Sequence, residues 1–337
     1  MKVFTDIKTW FIFFITGLIV VSPFFVEAHV KWFTNLEPQK STLEEIMSPL
    51  FIGLAIIAAS VLAILPQILP IISKWEWSEV IDHKLGSLRP YSMRILKYGT
   101  VVALCIQVVT GVIFAPELLI TEDWVLWLMW VSIVLFIVPH ALATRLSAVI
   151  MIGLFGYMTL EYGVFHMLDY GFYIAIFVVL FMERTRFEAF GFPFLYLGTG
   201  LSLCWVAVEK WVYPVMALDI ITEHHVPTFG FEPSIFIVFT AFIEFIVGYL
   251  LVVGILNRAL AVLVTLIFFS TTLLFGFTEI IGHFMIHVLL LLFLIEGTSF
   301  YNPPVKMHQR KIDQIIFVFL NFIFVLATIL LIFYRFA

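Results

Sequence analysis

Glu279, His283 and His287 recur every four residues in TEIIGHFMIH (278–287), inside a stretch that is otherwise almost wholly apolar. In a helix of 3.6 residues per turn this spacing stacks the three side chains on roughly one face. An ionisable group at membrane depth costs on the order of 3 kcal/mol, so it is expected to face a partner, a cavity or a pathway. Two chemistries suit the set. His283 and His287 would ligate a metal, or they would hydrogen-bond a quinone while Glu279 accepts a proton. The competing reading is a helix start at the interface, where water satisfies Glu279 and His283.

Two further groups have the right residue types. Glu209 and Lys210 precede Tyr213-Pro214, and Glu244 lies in the next apolar run, so a buried ion-pair network is expected. The same groups could instead protonate a bound quinone. His224 and His225 fall in ALDIITEHHVPTFGFEPS (217–234), where Pro227, Gly230 and Pro233 predict irregular chain. Cleavage at a signal-like site, Val26-Glu27-Ala28, would make His29 an N-terminal residue. Its amine and imidazole, with His224 and His225, would suit copper or zinc. The competing reading is three solvated surface histidines. His166, His283 and His287 are candidates for pairing as axial haem ligands to iron. There is no Walker motif, Rossmann fingerprint, HExxH or cysteine cluster, and no basic patch of the kind that binds nucleic acid.

Positioning these residues falls to membrane helices. The 337 residues are 63% hydrophobic and 12% charged, with a mean hydropathy of +1.11, which marks a polytopic protein whose main partner is the lipid bilayer. Apolar periodicity predicts helices near 48–72, 97–116, 124–140, 146–163, 170–183, 194–213, 234–254, 259–277, 280–297 and 313–335. Lys74, Lys84, Arg89, Arg94, Arg145, Arg184, Arg186, Arg258, Lys306, Arg310 and Lys311 fall in alternate loops, which the positive-inside rule places in the cytoplasm. The histidine-rich loops then face outward from an inner membrane. Cys105 and Cys204 lie in apolar runs and read as small buried hydrophobes.

The chain also repeats. Arg145–Glu183 aligns without gaps on Arg258–Glu296, and YGTVVALC aligns on LGTGLSLC, bringing Gly99 onto Gly198. The offset changes between the two matches by 14 residues, an insertion that falls on the His224–His225 loop. Four helices per copy preserve orientation, so parallel repeats are expected. Only the second copy carries Glu209, Lys210, Glu244, His283 and His287; the first offers His166, opposite Glu279, and Asp169.

The second copy resembles the DoxX-like family of small four-helix membrane proteins. The stretches that carry the resemblance are LSLCWVAVEKWVYP (201–214), FIEFIVGYLLVVGILNRALAVLVTLIF (242–268) and FGFTEIIGHFMIHVLLLLFLIEG (275–297). The resemblance implies an all-α fold and a membrane subunit linked to quinone-dependent oxidation. The expected organisation is a signal peptide or first helix (1–28), an outer segment and helix (29–75), a first four-helix repeat (94–187), a second (188–300) and a C-terminal helix (301–337). The expected function is a redox component, such as a quinone-linked oxidoreductase subunit, handling a quinone or metal at an outer His/Glu site. A transporter or receptor for a metal ion or complex, and a structural subunit that docks other membrane chains, are the competing functions.

Overall fold

The computed structural model describes residues 30–34, 36–72, 80, 83–255, 257–297 and 310–336. The signal-like segment, His29 and His308 lie outside the described residues. Among the described residues, eleven α-helices of ten residues or more form the framework. They are α1 (Pro49–Ile72), α2 (Ser92–Thr110), α3 (Asp123–Ile137), α4 (Ala141–Tyr162), α5 (Gly171–Phe181), α6 (Gly191–Val212), α7 (Pro214–Glu223), α8 (Pro233–Val253), α9 (Asn257–Phe275), α10 (Phe277–Glu296) and α11 (Lys311–Phe336). Among the described residues nine helical stretches are long and apolar enough to cross a membrane, and α3 is a shorter apolar helix. The protein is a multi-span helical bundle.

The predicted helix over 97–116 ends early. Gly111 adopts φ +74°, a left-handed conformation that terminates α2. Chain direction then reverses in a short antiparallel hairpin of β1 (Val112–Ile113) and β2 (Ala115–Leu119). Gln107 fixes it from α2: its carbonyl accepts the Phe114 N–H at 3.1 Å and its amide donates to the Tyr173 hydroxyl at 2.8 Å. The region around 217–234 also departs from expectation, because α7 fills its first part. Only His224–Glu232 is irregular, and His225 takes φ +52° there.

The packing order explains how distant segments meet. α2, α3, α4 and α5 pack in sequence; α6 packs along α8, and α9 along α10. Two long-helix contacts join the groups, α5 against α6 and α10 against α2, and β2 also packs on α10. Each long-helix contact has a glycine at its closest point. A Cβ on Gly198 would lie 2.5 Å from that of Ala175, and one on Gly99 would lie 2.5 Å from Val288 Cγ1. α1 and α11 pack against each other and flank the α6–α8 pair.

The α6–α8 contact is a backbone-to-backbone approach of the kind small residues permit in membranes. A Cβ on Gly200 would sit 2.5 Å from the Gly248 carbonyl oxygen, and one on Gly248 would sit 2.6 Å from that of Gly200. Backbone cannot rotate away, so Gly200→Ala and Gly248→Ala are each expected to destabilise by about 1–3 kcal/mol or more. Thermal unfolding in lipid nanodiscs measures this, with Gly53→Ala, where a Cβ meets nothing within 4 Å, as the control that loses no stability.

Candidate functional site

One end of the bundle gathers an ionisable network around a segment that sequence reading passed over. Residues 30–34 follow the signal-like site and reach into the space between α5, α6 and α10. Lys31 Nζ lies 2.6 Å from Asp169 Oδ2 and 2.9 Å from Glu209 Oε1. Both carboxylates are almost wholly buried, with side chains 0% and 2% exposed. Burial works against the Lys31 charge, but the fields of Asp169 and Glu209 outweigh it and hold the ammonium above the ordinary lysine range. The partners come from the turn before α5 and the last turn of α6, so Lys31 ties the two helical groups together.

Trp32 is the second anchor. Its indole N–H donates to the Tyr170 hydroxyl at 2.9 Å, and that hydroxyl donates to Glu117 Oε1 at 2.6 Å. His166 Nε2 meets the same Glu117 oxygen at 2.6 Å. On its other side the indole lies 4.9 Å from the His283 ring and covers Gly282, the one residue type that leaves room for it. Thr34 closes the segment by donating to Asp219 at 2.5 Å.

Glu279 and His283 are buried, with Glu279 fully enclosed and His283 at 2% exposure. The reading of a water-satisfied helix start is therefore corrected. His283 Nδ1 hydrogen-bonds Glu279 Oε2, and the Thr271 hydroxyl lies 3.0 Å from the same oxygen. The imidazole is held between Trp32 and Phe268, stacked on the latter at 4.2 Å. His287, one turn deeper, is half-buried against the rings of Phe268 and Phe269. The four-residue stripe thus divides: Glu279 and His283 pair, while His287 faces an aromatic wall.

Of the network expected from Glu209, Lys210 and Glu244, Lys210 and Glu244 pair, Nζ to Oε2 at 2.6 Å, while Glu209 is held by Lys31 instead. Lys210 is buried, but the Glu244 side chain is 20% exposed. Glu244 is the twelfth residue of α8, about 16 Å from its start at 1.5 Å per residue. It opens onto a cleft of about 50 Å³ between α6, α8 and α9, where α8 and α9 meet only briefly. Deeper in, a cavity of about 20 Å³ is lined by Asp169, Thr199, Ser202, Glu244 and His283. It brings the Lys31, Lys210 and His283 pairs to one place.

His224 and His225 are exposed; His224 packs edge-on against Phe33 and Phe275 and lies 3.4 Å from the Phe33 carbonyl oxygen. Among the described residues no group of three His, Cys, Asp or Glu side chains converges as a metal-ligand set. Lys31, Trp32, Tyr170 and Glu117 are the network members sequence reasoning did not name as site residues. Their one signal was the polar and aromatic Lys31-Trp32 pair directly behind the signal-like stretch. In comparisons with known proteins, no family model, curated protein or solved structure matches the chain.

Proposed function

We propose that this protein is an inner-membrane redox component that takes a quinone from the bilayer into the α6/α8/α9 cleft. The observation that carries the reading is the Lys210–Glu244 pair, with a carboxylate partly exposed halfway along a membrane helix. A group in that position meets hydrocarbon or a molecule dissolved in it, and the energetic penalty makes a function the default reading. A quinone is such a molecule: an apolar body with carbonyl oxygens that accept hydrogen bonds. It supplies the two-electron, two-proton chemistry, and a redox partner subunit would exchange the electrons. Lys210 would donate a hydrogen bond to a carbonyl oxygen, and Glu244 would exchange a proton with it. Leu203, Ile243, Val264 and Ile267 supply the apolar walls. At about 50 Å³ the cleft would have to widen to admit a ring, and α8 and α9, which touch only briefly, are the helices that would part.

The reading includes two parallel DoxX-like repeats, α2–α5 and α6–α10, with α1 and α11 as added helices and the ionisable end facing outward. Support comes from pairs that the sequence alignment makes equivalent. Gly99 against Val288 answers Gly198 against Ala175. Leu160 and Leu273, 88% and 89% exposed, project outward alike. Tyr170 and His283, also equivalent, flank the two sides of Trp32. The two groups are alike in packing and unlike in charge, as expected of a scaffold half and a working half.

Photolabelling with an azidoquinone in nanodiscs tests the function. Label is expected on peptides of α8 and α9, competed by unlabelled quinone. Glu244→Gln and Lys210→Met are each expected to weaken it by about tenfold or more, since a hydrogen bond to a charged group contributes roughly 1.5–3 kcal/mol. Uncompeted labelling, or labelling indifferent to both substitutions, would sink the proposal.

A further inference from the structure

Among the described residues, the Asp169 Oδ1 and Thr199 Oγ1 atoms are buried without a hydrogen-bond partner, and both residues line the same cavity of about 20 Å³. Asp169 is 1% exposed and Thr199 1% exposed, so bulk solvent does not reach them. Ser202 and Glu244 share the wall. A buried oxygen left without a partner is destabilising, and proteins relieve this with an ordered water where a cavity is polar and holds at least one probe sphere, roughly 10–15 Å³. This cavity meets both conditions.

We propose that the cavity is the binding site of a single water molecule, which donates to Asp169 Oδ1 and to Glu244 and accepts from the Thr199 hydroxyl. The inference rests on the quinone reading only for its use. The water would join the outer carboxylate pair to the cleft carboxylate by one hydrogen-bonded path. A proton arriving on Asp169 would reverse its hydrogen bond with the water, the carboxyl then donating; the water takes up this proton while passing one of its own to Glu244, so charge and atoms balance. A neutral ligand fits better than a metal cation because each wall carboxylate already has its own ammonium, Lys31 at 2.6 Å from Asp169 and Lys210 at 2.6 Å from Glu244. A further cation would face both lysines at short range in a medium of low dielectric. Ser202 is already committed, accepting from the Phe172 N–H at 3.0 Å, which leaves Thr199 as the side chain that positions the water.

The test is a pair of cryo-electron microscopy reconstructions in nanodiscs, wild type and Thr199→Val, at a resolution where ordered waters are visible, with azidoquinone labelling read on the same samples. Valine keeps the shape of threonine and removes the hydroxyl. The expected result is water density within hydrogen-bonding reach of Asp169, Thr199 and Glu244 in the wild type, lost in the variant, while labelling changes less than about twofold because Lys210 and Glu244 remain paired. A wild-type cavity with no water density, or a water that stays in place in Thr199→Val, overturns the inference whatever the labelling shows. Water present and lost as expected, with no specific label in either sample, upholds the water site and fails the quinone reading alone.

Discussion

Lys31→Met is expected to destabilise the protein by about 3–5 kcal/mol, the range for removing one partner of a buried charge pair and leaving the other unpaired. The loss is large because Lys31 serves two carboxylates, at 2.6 and 2.9 Å, neither with meaningful access to solvent. Methionine keeps most of the stem's volume, so the effect reports charge more than packing. A triple variant separates the two further. Lys31→Met with Asp169→Asn and Glu209→Gln removes the repulsion along with the cation, and it is expected to recover most of the stability, since neutral replacement of a buried ionic cluster is often close to neutral. Thermal unfolding in nanodiscs reads both. Equal stability of the single variant and wild type would show that Lys31 is not held where the structure has it. The pH sign follows from the raised pKa of Lys31. Its stabilisation is complete below the unfolded value of about 10.4 and is lost only as pH rises through the higher folded value, so the lysine contributes no pH dependence in the neutral range.

Lys31 and Trp32 also show why part of the site was illegible in the sequence. Long apolar runs broken by Gly and Pro predict the membrane helices closely: α1 was expected at 48–72 and spans Pro49–Ile72, α8 at 234–254 and spans Pro233–Val253. That pattern is local, so a sequence displays it. The Lys210–Glu244 pair was legible for a related reason, because charges in adjacent apolar helices have few partners besides each other. The contacts of residues 30–34 have no local counterpart. Lys31 meets Asp169 and Glu209, which are 138 and 178 residues further along the chain, and only the completed bundle brings them together. The hairpin after Gly111 was missed because Val112–Ala115 is apolar enough to carry a helix to its expected end at 116, and one left-handed glycine decided against it. In the GHFMIH stretch helical spacing put His283 and His287 on one face, but neighbouring rings divided their roles. One imidazole lies between Trp32 and Phe268, the other against Phe268 and Phe269.

Gly282→Ala brings that division of roles under test. A methyl group at residue 282 would lie 2.0 Å from Trp32 Cη2 and 2.1 Å from Cζ3, far inside any real contact. Gly282 is in the interior of α10 and its backbone is fixed by helix hydrogen bonds, so the indole has to yield. Trp32 moves only by giving up its bond to Tyr170 and its place over His283, and Lys31, the adjacent residue, is drawn off Asp169 and Glu209 with it. The substitution should therefore cost more than the roughly 1–3 kcal/mol of simple overpacking, even though alanine by itself favours a helix over glycine by about 1 kcal/mol. Trp32→Leu supplies the discriminating comparison. It removes the obstructing ring, so Gly282→Ala in a Trp32→Leu background is expected to lose most of its effect, a coupling of at least about 1 kcal/mol in a double-mutant cycle. Additive losses would mean that Trp32 does not cover Gly282. In that case the Val30–Phe33 segment is not the piece that holds the two helical groups together at this end of the bundle.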